Sequence, residues 1–196
     1  MTRIIAGTAR GTVIAVPSAG TRPTSDRVRE SLFGALDAAD AIAGSRVLDL
    51  YTGSGALGLE ALSRGAAAVD LVERSPQAVQ VARANTAKVV AATGEPTTAA
   101  MPARVHKAAV TAFLSTAAGP YDLVFADPPY DVADDEIEAM LAALAGLMAP
   151  GGLVVLERSA RSAGPVLPPE LALDRHKRYG DTALWWLRRR TDRPGG

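Results

Sequence analysis

Hydrophobic residues in this chain follow two alternating patterns. Short apolar runs at 46–50, 68–72, 104–107, 121–126 and 152–157 have the length and Val/Leu content of strands buried on both faces. Between them, segments at 56–64, 76–92, 110–115 and 134–148 place apolar residues three and four apart, the spacing of one helix face. That alternation predicts an α/β, doubly wound sheet with right-handed crossovers. Two later strands, 171–177 and 182–189, flank the turn Tyr179-Gly180-Asp181 and close the sheet as an antiparallel pair, giving seven strands, mostly parallel. Trp185 and Trp186 face opposite sides of the last strand, one in the core and the other covering it.

Upstream, Ile4-Ile5 and Val13-Ile14-Ala15-Val16 flank 7–11 and predict a short N-terminal β-hairpin. Residues 17–23 read as loop. Ser25 or Asp26 caps a helix running to about Ala38, with Val28, Leu32, Phe33 and Leu36 inward. The Ala/Thr/Pro-rich segment 91–102 predicts a surface loop. The organisation expected is an extension over 1–24, one sheet domain over 25–190 and a disordered tail over 191–196.

Three of the predicted strands end in an acid. The strand 121–126 runs into Asp127-Pro128-Pro129-Tyr130. Neither proline can continue a ladder, and Pro128 keeps Asp127 extended. The Asp127 carboxylate and the Pro128 carbonyl can each accept one hydrogen of an exocyclic NH2, while Tyr130 stacks on the attached ring. The first strand ends near Asp49 and leads into Tyr51-Thr52-Gly53-Ser54-Gly55-Ala56-Leu57-Gly58. Such a glycine loop at a helix start offers N–H groups to a ligand, and its spacing also satisfies a dinucleotide fingerprint. Asp49 argues against a pyrophosphate and for an ammonium group or a water held beside it. Glu73, at the tip of the second strand, is placed to accept hydrogen bonds from both hydroxyls of a ribose. Together these residues describe a pocket for a nucleoside with an amino-acid tail, and S-adenosyl-L-methionine is such a molecule.

Those motifs resemble the class I S-adenosylmethionine-dependent methyltransferases that act on amino nitrogens. Arg3-Ile4-Ile5-Ala6-Gly7, Arg10-Gly11 and Arg22-Pro23-Thr24-Ser25-Asp26-Arg27-Val28-Arg29-Glu30-Ser31-Leu32-Phe33 are similar to the RsmD-type family in particular, over roughly Arg3 to Leu187. The resemblance implies a Rossmann-like methyltransferase fold and methylation of guanine N2 in bacterial 16S rRNA, on the small ribosomal subunit or its assembly intermediate. It implies catalysis at Asp127, Pro128, Pro129 and Tyr130. Cofactor contacts are expected at Asp49, Tyr51, Gly53, Gly55, Glu73, Arg74 and Ala109, and RNA contacts at Arg10, Arg22, Thr24 and Arg27. Many relatives carry Asp or Asn where this chain has Ala108-Ala109, so backbone groups there, or a polar residue elsewhere, are expected to hold the adenine. Other amino targets (adenine N6, cytosine N4, a protein glutamine) and a nicotinamide-dependent oxidoreductase are the alternatives.

Composition narrows the field. With no Cys and only His106 and His176, thiol chemistry is excluded and a metal site is not expected. No leader-like segment opens the chain, and a cytoplasmic monomer is the expectation. The uncharged run 139–156 is interrupted by Pro150-Gly151-Gly152 and reads as core rather than a membrane span. The zero net charge conceals segregation: residues 1–30 carry +3, 31–157 carry −8 and 158–196 carry +5. Basic ends on an acidic body suit a polyanionic substrate.

Overall fold

A computed structural model of the chain describes residues 1–17, 26–94 and 102–191. The hairpin strands are β1 (Thr2–Arg3) and β2 (Val13–Ile14). The body comprises α1 (Asp26–Ala38), β3 (Arg46–Leu50), α2 (Ala56–Ser63), β4 (Ala68–Glu73), α3 (Pro76–Thr93), β5 (Ala103–Lys107) and α4 (Val110–Leu114). It continues with β6 (Tyr121–Ala126), α5 (Asp134–Ala145), β7 (Met148–Ser159), β8 (Leu171–Tyr179) and β9 (Thr182–Arg189). The larger sheet has the order β5-β4-β3-β6-β7-β9-β8. Strands β3 to β7 are parallel, and β9 is antiparallel to both of its neighbours.

Because parallel strands are covered on both faces, alternate residues feed two cores. Val47, Leu71, Leu123, Phe125 and Trp186 pack beneath α1, α2 and α3. Leu48, Val72, Val124 and Leu156 pack beneath α4 and α5, with Trp185 against them. The tryptophans therefore divide between the faces, as their adjacency on one strand requires.

Several boundaries differ from expectation; β8, for one, runs to Tyr179 rather than 177 and takes in the first residue of the expected turn. Helix α5 stops at Ala145, and β7 starts at Met148 rather than 152. The pairing of β6 with β7 jumps from Tyr121↔Met148 to Leu123↔Leu153, and this irregularity absorbs Pro150-Gly151-Gly152 inside the strand. Helix α3 runs to Thr93, so Ala91 to Thr93 are helical, while 95–101 lie outside the described residues. The hairpin pairs Thr2↔Ile14 and Arg3↔Val13, slightly earlier than expected. Among the described residues, no helix is long and apolar enough to cross a membrane.

The extension is sewn to the body through buried polar groups. Glu60 of α2, fully buried, accepts hydrogen bonds from the Ile5 and Ala6 amides at 2.7 and 3.0 Å. The Ser63 hydroxyl donates to the Ala6 carbonyl, and Asn85 of α3 both accepts from and donates to the Ala15 backbone. Ile4 and Ile14 are fully buried in the same core as α1 and α2.

Candidate active site

The strand register explains why distant residues meet. Leu50, Val72, Ala126 and Leu156 form one row across β4, β3, β6 and β7. The next residue of each strand is Tyr51, Glu73, Asp127 or Glu157, and all four line one cavity of about 530 Å³. The row straddles β3 and β6, where the order of strands reverses and open α/β sheets form their ligand crevice. Of the other residues predicted for catalysis and cofactor binding, Gly53, Arg74, Pro128, Pro129 and Tyr130 also line it, and Pro17, Ser75, Gln77, Ala78, Ala108, Val110 and Asp131 add to the lining. Pro128 is buried and Tyr130 is 61% exposed, so the motif presents its ring at the mouth.

The glycine loop is held from behind. Asp49 is only 2% exposed and does not line the cavity. Its Oδ2 accepts from the Thr52 hydroxyl at 2.6 Å and the Gly58 amide at 2.9 Å. Gly58 is needed for this, since a Cβ there would sit 2.9 Å from Val69 and 3.0 Å from the Asp49 carboxylate. Burial pushes the Asp49 carboxyl up to about 6, against those two hydrogen bonds and with help from the nearby negative charge of Glu73. Asp49 thus shapes the loop, where the sequence had suggested that it holds an ammonium group or a water. Gly55 heads α2 and packs against Leu59 and Leu71, also outside the cavity.

Glu73 spans the loop and the next helix. Its Oε2 accepts from the Gly53 amide at 3.1 Å and its Oε1 from the Ser75 amide at 2.8 Å. Each oxygen keeps a second lone pair for a donor in the cavity. Tyr51 has φ +57°, a strained conformation for a bulky side chain, and such strain gathers at ligand sites. Burial raises the Tyr51 pKa, with Glu136, Arg74 and Arg158 as its charged surroundings.

Ala109 is exposed at the N-cap of α4 and does not line the cavity; Ala108 and Val110 do. Arg10 lies apart, in a recess with Arg3 and Glu30, and Arg27 is exposed in the first turn of α1. Arg22 and Thr24 lie outside the described residues. Sequence reasoning missed Glu157, Asp131, Ser75 and Gln77. The signal for Glu157 was present, since it ends an apolar strand as Asp127 does. Next to it, buried Arg158 pairs with Asp134 at 2.6 Å and donates to the Val132 carbonyl, fixing the turn after Tyr130.

The cavity is markedly acidic. Among the described residues, Glu73, Asp127, Asp131 and Glu157 face it against the guanidinium of Arg74, while Val72, Ala78, Val110 and Pro17 supply apolar wall. Such a lining favours a cation joined to a flat apolar group and disfavours a pyrophosphate.

Comparison with known proteins agrees with this geometry. The family described as conserved hypothetical protein 95 matches residues 2–188. The chain is 38% identical over 182 residues to ribosomal RNA small subunit methyltransferase D of Escherichia coli K12, covering 92% of this chain and 86% of that protein. The solved structure of yhhF from Escherichia coli superposes with a TM-score of 0.82 at 34% identity, over 97% of this chain and 98% of that one. SMU.776, solved in complex with SAH, shares the fold at a TM-score of 0.66 and 13% identity, over 83% of this chain and 48% of that one. A match across nearly the whole chain and a relative well above 30% identity lead to one conclusion: this protein belongs to the RsmD-type methyltransferase family.

Proposed function

We propose that this protein uses S-adenosyl-L-methionine to methylate the exocyclic N2 of a guanine in 16S rRNA of the small ribosomal subunit. The observation that carries the reading is the shared row of Glu73, Asp127 and Glu157 around one acidic cavity, with Pro128-Pro129-Tyr130 at its mouth. The donor set fits the cofactor. Glu73 supplies acceptors for two ribose hydroxyls, Ala108 and Val110 supply a flat apolar wall for adenine, and the acidic lining favours a cationic sulfur and an ammonium tail. When bound, this cofactor supplies a methyl group made electrophilic by its positively charged sulfur.

The chain's own residues do the rest by positioning. The Asp127 carboxylate and the Pro128 carbonyl accept the two amino hydrogens of the target base, which draws the nitrogen lone pair out of conjugation. Both hydrogens stay held until one leaves as a proton after transfer, so no histidine base is required. The exposed Tyr130 ring provides a stacking face for a base turned out of its helix. Orientation of this kind, with water displaced from the cavity, is worth about 7–11 kcal/mol in favourable model systems. The basic extension, including Arg10, Arg22, Thr24 and Arg27, contacts RNA phosphates, and the protein works in the cytoplasm as a monomer.

The test is incubation of the protein with radiolabelled methyl donor and small subunits from a strain lacking it, followed by nucleoside analysis. N2-methylguanosine is expected from the parent, and none from Asp127→Ala, with cofactor affinity preserved. Label on adenine or cytosine, or undiminished turnover by Asp127→Ala, overturns the reading.

A further inference from the structure

Strand β8 forms one edge of the sheet and carries Arg175-His176-Lys177-Arg178 in succession, all exposed. Its direction matters more than its charge. It is antiparallel to β9, which is antiparallel to β7, so β8 runs with the parallel strands. Tyr179 pairs with Thr182, and Thr182 with Ser159, so the basic half of β8 reaches the end of the sheet that bears Asp127 and Glu157. On the α1 face, Arg175 lies over the Trp186 ring at 4.0 Å, and Lys177 approaches the Ser31 hydroxyl of α1 at 3.4 Å. On the other face Arg178 donates to the Ala160 carbonyl.

Neutral partners hold these cations without cancelling them. Among the described residues, no ion pair joins Arg175, Lys177 or Arg178 to a carboxylate. Of the later arginines among the described residues, only Arg188 meets a carboxylate. Arg188 and Arg189 lie at the opposite end of β9, where Arg188 pairs with Asp174 at 3.5 Å and Arg189 donates to the Ala145 carbonyl. Among these described cations only Arg188 is matched by a carboxylate, and Arg175, Lys177 and Arg178 bring uncancelled charge to the end of the sheet that bears Asp127 and Glu157. Across the sheet from α1, the first turn of α5 is acidic, with Asp134, Asp135 and Glu136, which repels a polyanion from that side.

We propose that Arg175, Lys177 and Arg178 form a second RNA-binding track, gripping phosphates that flank the target nucleotide. This rests on the rRNA reading above. Ring and hydroxyl contacts pre-order the long side chains, which lowers the cost of fixing them on a phosphate backbone. Because phosphate contacts carry no sequence information, the track sets affinity and orientation rather than base choice.

The experiment compares parent, Arg175→Gln/Lys177→Gln/Arg178→Gln, Lys177→Glu alone and Arg190→Gln. Each is assayed for binding to 16S rRNA transcribed in vitro across a salt series, and for methyl transfer to small subunits lacking the modification. Each lost phosphate contact removes roughly 0.7–0.9 from the slope of log affinity against log salt, so the triple variant should lose about 2–3. Its KM should rise about ten-fold at moderate salt with kcat unchanged, and Lys177→Glu should move both readouts the same way, less far. Arg190→Gln, at the far end, should match the parent. Parental slope and KM in a folded triple variant overturn the track. A raised KM on subunits with a parental RNA salt slope also overturns it, assigning the edge to a protein of the particle instead. Failure of the parent itself to methylate rRNA sinks the underlying reading and this one together.

Discussion

Replacing Asp49 with asparagine isolates the electrostatic cost of building the glycine loop. Both hydrogen bonds to this side chain, from Thr52 and Gly58, end on Oδ2. An asparagine Oδ1 at that place accepts both, so the substitution removes charge while keeping the contacts. The Asp49 carboxyl titrates at about 6 in the folded protein against an ordinary 3.8, chiefly through burial. The folded state therefore binds this proton more tightly than the unfolded chain, and its stability falls as pH rises from 3.8 to about 6. At ~1.36 kcal/mol per pKa unit the full cost is about 3 kcal/mol, of which about half develops between pH 5 and pH 8. An amide NH2 without an acceptor costs about 1–3 kcal/mol, but equally at both pH values. The quantity to measure is therefore the change in the gap between variant and parent. Urea unfolding should show that gap moving by about 1.5 kcal/mol in favour of Asp49→Asn from pH 5 to pH 8, or ~3–6 °C in Tm for a chain of this size. A gap that is constant with pH refutes the argument, because other titrating groups are common to both proteins.

Glu73→Gln leaves either the Gly53 or the Ser75 amide without its acceptor and weakens the hold on ribose, so cofactor affinity should fall by about 1–3 kcal/mol. Calorimetry giving the parental affinity would remove Glu73 from the site. Gly7→Ala puts a methyl group into the Ser63 carbonyl and a side chain at φ +82°, which costs about 1–2 kcal/mol from the backbone alone. The urea midpoint should drop accordingly; an unchanged midpoint would mean that the extension contributes nothing to stability.

The alternating apolar segments set the element order and the doubly wound class, because a strand buried on both faces and a one-sided helix leave different periodicities. Strands 46–50, 121–126 and 182–189 were legible to the residue. So was the composition of the proposed catalytic corner, since Asp127-Pro128-Pro129-Tyr130 is contiguous and its rigidity is local.

Register was not legible, and register decided the site. That Tyr51, Glu73, Asp127 and Glu157 share one level follows from pairing strands far apart in sequence, which no local pattern encodes. The same applies to Asp49, whose strand-end position suggested a ligand contact while tertiary packing turned it onto Thr52 and Gly58. Ala109 was displaced from the cavity by the start of α4, which leaves Ala108 and Val110 in its lining. Charge followed the same division. Counting residues established basic ends around an acidic middle, but only the direction of β8 and β9 separated the cations at the end of the sheet bearing Asp127 and Glu157 from those at the far end, where Arg188 pairs with Asp174. Local covalent preference fixes what a segment becomes; long-range hydrogen bonding between strands fixes which segments end side by side.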